Sequence, residues 1–106
     1  MRLLIQKVNE AKVLVSGKVV GKINKGLLIF LGVDIADSDD DISWLVKKTM
    51  NLRIFNDSND IMNLSAKDVK ADILVVSQFT LMASVKKGNR PSYINAANKN
   101  HAISMY

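Results

Sequence analysis

The first 24 residues alternate apolar and polar side chains with the period of a β-strand. The segments MRLLIQKV and AKVLV show this alternation most clearly, and residues 18–24 continue it. Because successive side chains of a strand point to opposite faces, alternation is typical of strands with one buried face. Ser16-Gly17 supplies a hairpin turn between the second and third segments. We therefore predict a small antiparallel meander at the start of the chain.

Two later segments are almost continuously apolar, as in strands buried on both faces. They are GLLIFLGV, residues 26–33, and DILVV, residues 72–76. A helical pattern separates them, because five side chains between residues 42 and 50 share one helix face. They are Ile42, Leu45, Val46, Thr49 and Met50. The order strand, helix, strand predicts an α/β fold with a mixed sheet.

A run of aspartates precedes the helical pattern. Ser38 followed three residues later by Asp41 is the sequence of a capping box, and acidic side chains favour the positive end of a helix. Neighbouring aspartates can also bind Ca²⁺ or Mg²⁺, but the glycine and distal glutamate of an EF-hand loop are missing. Helix capping is therefore our interpretation, and no metal site is predicted.

The other segments have weaker patterns. Residues 52–55 predict a short strand, residues 56–60 a turn and residues 66–71 irregular structure, whereas residues 61–65 fit either a strand or a loop. SVKKGNRPSY predicts an exposed loop. A last helix is expected to begin near Asn98.

Composition excludes several kinds of chemistry. The chain has 106 residues, 48% hydrophobic and 24% charged, which fits one globular domain over residues 1–106. The absence of cysteine excludes disulfide, thiolate and zinc-thiolate sites. No apolar run approaches the roughly 20 residues that cross a bilayer, and the N-terminus has no signal-peptide pattern. We predict a cytoplasmic protein with no membrane partner.

The net charge of +5 is distributed unevenly. Residues 34–72 are acidic on balance, whereas residues 73–106 contain four basic side chains and no acid. Such a segment favours a polyanionic ligand such as RNA. The alternative is a solvated basic loop without a ligand. The four basic residues are Lys86, Lys87, Arg90 and Lys99.

The inventory of reactive side chains is short. His101 is the only histidine and lies in the terminal helical pattern, which disfavours a triad with Ser77, Thr80 or Ser92. The sequence has no phosphate-binding loop of the GxxxxGK[ST] type and no histidine cluster, and no cofactor is predicted. An enzyme with this inventory lacks a general base, so its substrate must supply part of the chemistry.

Polar side chains follow the second apolar segment in the sequence VVSQFTL. Ligands commonly bind at the C-terminal ends of strands in α/β sheets. There, Ser77, Gln78 and Thr80 can orient an ester, and adjacent backbone N–H groups can stabilise its oxyanion. In the alternative interpretation, Ser77 and Thr80 only end a strand and Phe79 belongs to the core.

Six segments in order resemble the D-aminoacyl-tRNA deacylases, also called D-tyrosyl-tRNA deacylases, over essentially the whole chain. They are LIQKV, GLLIFLGV, NLRIF, MNLS, VVSQFTL and GNRPSY. The resemblance implies a three-layer β/β/α fold with a mixed sheet. It also implies a homodimer with active sites at its interface. The implied reaction is hydrolysis of the ester between a D-amino acid, or glycine mischarged on tRNA-Ala, and the terminal adenosine of tRNA.

The resemblance also implies roles for individual residues. The catalytic segment is Ser77, Gln78, Phe79 and Thr80, the substrate-binding residues are Lys7, Pro91, Ser92 and Tyr93, and Lys86, Lys87 and Arg90 would meet tRNA phosphates. Tyr93 replaces the phenylalanine usual in the family, and it could contact the terminal adenine together with Phe79. Thr80 has been assigned as the nucleophile, but a later view gives the activating role to the 2′-hydroxyl of the RNA. The missing base favours the 2′-hydroxyl.

Two departures from the family concern the contact between subunits. The family has an arginine at the position of Lys7, which holds a Gly-Pro dipeptide from the partner subunit, and lysine lacks the planar fork of arginine. The dipeptide belongs to the family's C-terminal strands, whereas the only proline here is Pro91. We expect those strands to be missing from this chain. We also expect the natural polypeptide to continue past Tyr106 with a Gly-Pro pair that excludes L-aminoacyl-tRNA.

Two interpretations from other classes stay open. One is an RNA-binding module without catalysis, which needs the basic residues 73–106 but not Thr80. The other is a dimerisation module that needs neither.

Overall fold

The computed structural model describes residues 1–106 and contains seven strands, two α-helices and one short 3-10 turn. In chain order these are β1 (Arg2–Val8), β2 (Ala11–Val15), β3 (Lys18–Ile23), β4 (Gly26–Gly32), α1 (Asp39–Asn51), β5 (Phe55–Asn56), β6 (Met62–Leu64), β7 (Asp72–Ser77), the turn Phe79–Met82 and α2 (Lys99–Met105).

The main sheet has the order β1-β4-β7 and is mixed, as predicted. β1 is antiparallel to β4 and β7 is parallel to it. The central position of β4 explains its continuous apolar sequence, since both of its faces are covered. β7 lies at the edge and is only half-buried, although its sequence predicted a strand buried on both faces. The sheet ends where Leu31 pairs with Ser77 on one side and Gly32 pairs with Arg2 on the other.

Two further layers cover this sheet and confirm the three-layer β/β/α expectation. On one face, the predicted apolar side of α1 lies over Ile29 and Val75, although Val46, which was predicted on that side, is 57% exposed. On the other face, the β2–β3 hairpin contacts β7, and the backbone of Gly21 approaches the side chain of Leu74. The core lies between the sheet, α1 and the β5–β6 pair, around Leu27, Ile29, Phe55 and Ala66.

Two predictions about strands were wrong in detail. The predicted meander does not include β1, because β1 pairs with β4 and the β2–β3 pair forms a separate sheet. This pairing places Leu3 and Ile5 against the core. The predicted strand at residues 52–55 begins only at Phe55, because Leu52 still donates its N–H to Lys48 as the end of α1. The undecided segment 61–65 contains β6, which pairs with β5.

The hydrogen bonds at the start of α1 are those that the sequence predicted. The carboxylate of Asp41 accepts the N–H of Ser38 at 2.8 Å and its hydroxyl at 3.1 Å, and these bonds hold the pKa of Asp41 below its ordinary value. Asp37 binds the N-terminal ammonium of Met1 at 2.5 Å. The last helix begins near Asn98 as predicted, and the side chain of Asn98 caps it by accepting the N–H of His101. Neither helix is long and apolar enough to cross a membrane.

Candidate active site

The candidate site begins where β7 leaves the sheet. The N–H of Gln78 donates to the carbonyl of Leu31 at 2.7 Å, so the chain stays attached to β4 for one residue beyond the strand. It then enters the 3-10 turn, whose buried Met82 anchors it. The side chain of Phe79 remains 59% exposed. The alternative in which Phe79 belongs to the core is therefore wrong.

Two residues at the end of the sheet hold this turn in place. A Cβ atom on Gly32 would lie 2.9 Å from Cβ of Leu81 and 3.2 Å from the carbonyl oxygen of Gln78, so the turn approaches β4 as closely as a glycine permits. Arg2, the partner of Gly32 on β1, donates from its guanidinium to the carbonyl of Leu81 at 2.8 Å. The turn that carries Phe79 is therefore fixed to both strands.

A second segment returns to this turn. Ser84 and Ser92 exchange backbone hydrogen bonds of 2.8 and 2.9 Å, which close the exposed loop between them. The ring of Tyr93 then meets the ring of Phe79 edge to face, with centroids 5.2 Å apart and planes at 62°. The structure thus brings together the two predicted segments, SQFT and PSY. Three predicted phosphate contacts, Lys86, Lys87 and Arg90, lie exposed on the loop between Ser84 and Ser92.

Thr80 has a hydrogen-bond partner that cannot activate it. The side-chain amide of Gln78 donates to the hydroxyl oxygen of Thr80, and an amide N–H cannot accept a proton. His101 makes no hydrogen bond to Ser77, Thr80 or Ser92, and its Nε2 atom is buried without a partner. In contrast, the N–H groups of Phe79 and Thr80 precede the first hydrogen bond within the turn, which Leu81 donates. The turn itself therefore does not use these two N–H groups.

A largely apolar groove extends from this turn. Its volume is about 710 Å³, and it lies between the hairpin, β7 and α2. Ser77 and Phe79 form part of its lining, and the hydroxyl of Tyr106 donates to the carbonyl of Val75 at 2.8 Å on the side of α2. Sequence reasoning missed the groove, because its walls come from four separate segments and no local pattern marks it. Other lining residues are Val13, Val20, Val76, Ala102 and Ile103.

Lys7 lies elsewhere. It pairs with Leu27 near one end of β4, whereas Ser77 pairs with Leu31 near the other end. Lys7 instead lines a polar cleft of about 250 Å³ together with Lys25 and Asn56. The structure of one chain does not bring Lys7 beside the other predicted site residues.

Comparison with known proteins identifies the family of this chain. A family model described as D-Tyr-tRNA(Tyr) deacylase matches residues 4–106. The chain belongs to the D-aminoacyl-tRNA deacylase family. Relatives named D-aminoacyl-tRNA deacylase from Flavobacterium johnsoniae and Flavobacterium psychrophilum are 56% and 54% identical over all 106 residues. The chain spans 71% of the length of each of these relatives.

Two solved structures share this fold. One described as c-Myc DNA Unwinding Element Binding Protein matches with a TM-score of 0.94 and 34% identity, over all of this chain and 71% of that one. A probable eukaryotic D-amino acid tRNA deacylase matches with a TM-score of 0.83 over 98% of this chain and 61% of that one. Its 18% identity shows the fold alone.

The contact of Arg2 predicts an effect on deacylation. Arg2→Met removes the donor to Leu81, so the turn that carries Phe79 loses its attachment to β1. We expect deacylation to slow about three- to tenfold, since an exposed hydrogen bond from a charged group contributes about 1 kcal/mol. Arg2→Lys should recover part of the rate. Single-turnover kinetics of D-tyrosyl-tRNA cleavage measure both.

Arg53 offers a matched control. It also donates to a backbone carbonyl, that of Asn63, at 2.8 Å, but it lies on the β5–β6 side of the molecule. Arg53→Met should leave the rate near that of the wild type. Equal slowing in both methionine variants would show that general loss of stability, not the position of the turn, causes the effect.

Proposed function

We propose that this member of the D-aminoacyl-tRNA deacylase family hydrolyses the ester between a D-amino acid and the terminal adenosine of tRNA at the turn that follows β7. The observation that carries this proposal is the exposed aromatic pair of Phe79 and Tyr93 at the start of a 3-10 turn. Exposed rings offer faces for a nucleobase, and N–H groups at the start of a turn offer hydrogen bonds to an ester carbonyl.

The proposed roles divide the site into two parts. The rings of Phe79 and Tyr93 contact the terminal adenine, and the N–H groups of Phe79 and Thr80 bind the ester carbonyl as charge develops on its oxygen. Ser77 and Gln78 orient the aminoacyl group, and Pro91 and Ser92, which precede Tyr93 in the chain, also bind the substrate. The basic loop places cationic side chains near the phosphates that precede the adenosine. These side chains are Lys86, Lys87 and Arg90.

In the proposed mechanism, a group of the substrate, and not a side chain of the protein, assists the proton transfer. The 2′-hydroxyl of the terminal ribose is adjacent to the ester, and it assists the attack of water in place of a protein base. The only side-chain hydrogen bond of Thr80 is the one that it accepts from Gln78, and its hydroxyl donates to no protein group, which supports this assignment. Binding of the ester through backbone donors also does not depend on the side chain of the amino acid that is attached to the tRNA. We therefore include glycyl-tRNA among the substrates.

We further propose that two copies of the chain form the working enzyme, in the cytoplasm where aminoacyl-tRNA is used. Lys7 supports the dimer, because it is remote from Ser77 within one chain, so a role of Lys7 in the site would require a segment of the partner subunit. Exposed apolar side chains such as Leu4, which is 56% exposed, provide surface that a second copy would bury.

The experiment that tests the site compares two exposed aromatic residues. Phe79→Ala removes a stacking surface, and base stacking contributes about 1 to 3 kcal/mol, so we expect KM for D-tyrosyl-tRNA to rise about 5- to 100-fold. Trp44→Ala is the control, since Trp44 is 61% exposed on α1, on the opposite face of the sheet. Unchanged kinetics for Phe79→Ala would place the substrate elsewhere.

A second candidate function is nucleic-acid binding without catalysis. The 34%-identical structure named as a DNA unwinding element binding protein favours it. Wild-type protein that binds tRNA but releases no D-tyrosine would select this candidate over the deacylase.

A further inference from the structure

The β2–β3 hairpin contains a pair of like charges in direct opposition. Lys12 pairs with Lys22 across the two strands. Like charges at opposed positions of a sheet destabilise it. Residues 11–25 contain two more lysines, Lys18 and Lys25, and no acid that could offset the repulsion.

The opposed lysines have no partner within the protein. The only ion pair in the structure joins Met1 to Asp37, and both Lys12 and Lys22 are exposed. Their direction follows from their neighbours. A Cβ atom on Gly21 would point toward Leu74 on the sheet, so Lys22, one residue further along the strand, projects from the opposite side. Lys12, which pairs with Lys22, lies on that same outer side.

The hairpin is also a wall of the groove that reaches the candidate site. Val13 and Gly21 line this groove together with Ser77 and Phe79. If one end of a polyanion binds at Phe79, the hairpin is therefore the neighbouring layer of the protein that the rest of the polyanion can reach. The outer side of the hairpin, which we call the hairpin lysine face and define by Lys12 and Lys22, faces away from the groove and presents uncompensated positive charge to the solvent.

We propose that the hairpin lysine face binds phosphates of the tRNA acceptor stem, beyond the terminal nucleotide that enters the site. This inference rests on the proposed function and adds a second contact to the basic loop at residues 86–90. Binding releases counterions from the phosphates, and the nearby anions relieve the repulsion between Lys12 and Lys22. The instability of the free hairpin is thereby coupled to RNA binding.

The test uses a double variant, Lys12→Gln with Lys22→Gln, and equilibrium binding of uncharged tRNA. Each phosphate contact contributes a salt slope of about 0.7 to 0.9 in log Kd, so the slope should fall by about 1 to 2. We expect Kd to rise about tenfold near 0.1 M salt. The thermal midpoint should stay equal or increase, since the substitutions remove a repulsion. Replacement of both lysines by arginine should restore Kd and the slope.

Lys47→Gln with Lys48→Gln is the matched control. These lysines are adjacent on α1, on the opposite face of the sheet, and their removal changes the net charge equally. The inference is wrong if Kd and the salt slope change as much in this control as in the hairpin variant. It is also wrong if they change in neither variant. Deacylation by the wild type is measured in parallel. If the wild type binds tRNA through the hairpin but cleaves no ester, the proposed reaction fails while the hairpin lysine face stands.

Discussion

Removing the 2′-hydroxyl from the terminal adenosine of D-tyrosyl-tRNA is expected to slow deacylation by about 10²- to 10⁴-fold, the range that a lost proton-transfer group produces. Thr80→Ala should slow it by less than about tenfold. The physical reason lies in the hydrogen bond between Gln78 and Thr80, in which the threonine oxygen is the acceptor. No neighbouring group takes its proton, so in the proposed mechanism Thr80 contributes through its backbone N–H, which alanine keeps. Single-turnover rates on both substrates measure the two effects.

The opposite result has a clear meaning. If Thr80→Ala abolishes cleavage in a folded protein that still binds tRNA, and the wild type still cleaves the 2′-deoxy substrate, then Thr80 is the nucleophile. Thr80→Ser would then keep most of the rate, since serine supplies the same hydroxyl.

Gly26→Ala is expected to destabilise the protein by about 3 to 5 kcal/mol, among the largest effects of a single substitution. A Cβ atom on Gly26 would overlap the carbonyl oxygen of Asp72, and it would lie 2.7 Å from the carbonyl carbon and 2.9 Å from the nitrogen of that residue. These are backbone atoms of β7, so they can move only if the parallel pairing of β4 and β7 shifts. Urea denaturation measures the loss.

Gly17→Ala is the matched comparison. Gly17 has a φ of +76° in the hairpin turn, and nothing lies within 4 Å of an added Cβ atom. Alanine there loses only about 1 kcal/mol through the unfavourable left-handed backbone. If the two variants lose equal stability, the close approach of Gly26 to Asp72 does not limit the packing of β7.

Elements determined by local chemistry could be predicted from the sequence. The continuous apolar sequence of β4, the interaction of Ser38 with Asp41 and the start of α2 near Asn98 involve only near neighbours, and the structure has all three. Strand pairing could not be derived in this way. β1 alternates like a meander strand but pairs with β4, because pairing depends on which distant strand covers its apolar face.

In the candidate site, too, local features could be predicted from the sequence and tertiary contacts could not. The polar residues after β7 could be located from the sequence, but the exposure of Phe79 could not, since an aromatic ring at a strand end fits either core or surface. Its contact with Tyr93 depends on the hydrogen bonds between Ser84 and Ser92. The groove and the distance of Lys7 from Ser77 follow from tertiary packing alone. The catalytic and binding roles of the site residues stay predictions.

The parallel pairing of β4 with β7 also determines when the site can form during folding. Parallel strands need a crossover, and here it contains α1 and the β5–β6 pair, so this contact joins parts of the chain that are distant in sequence. Contacts of this kind form slowly, because the intervening chain must be ordered first. Ser77 lies at the last paired position of β7, and the turn with Phe79 follows it. A folding chain therefore acquires the turn that carries Phe79 only after β7 has joined β4 across this crossover.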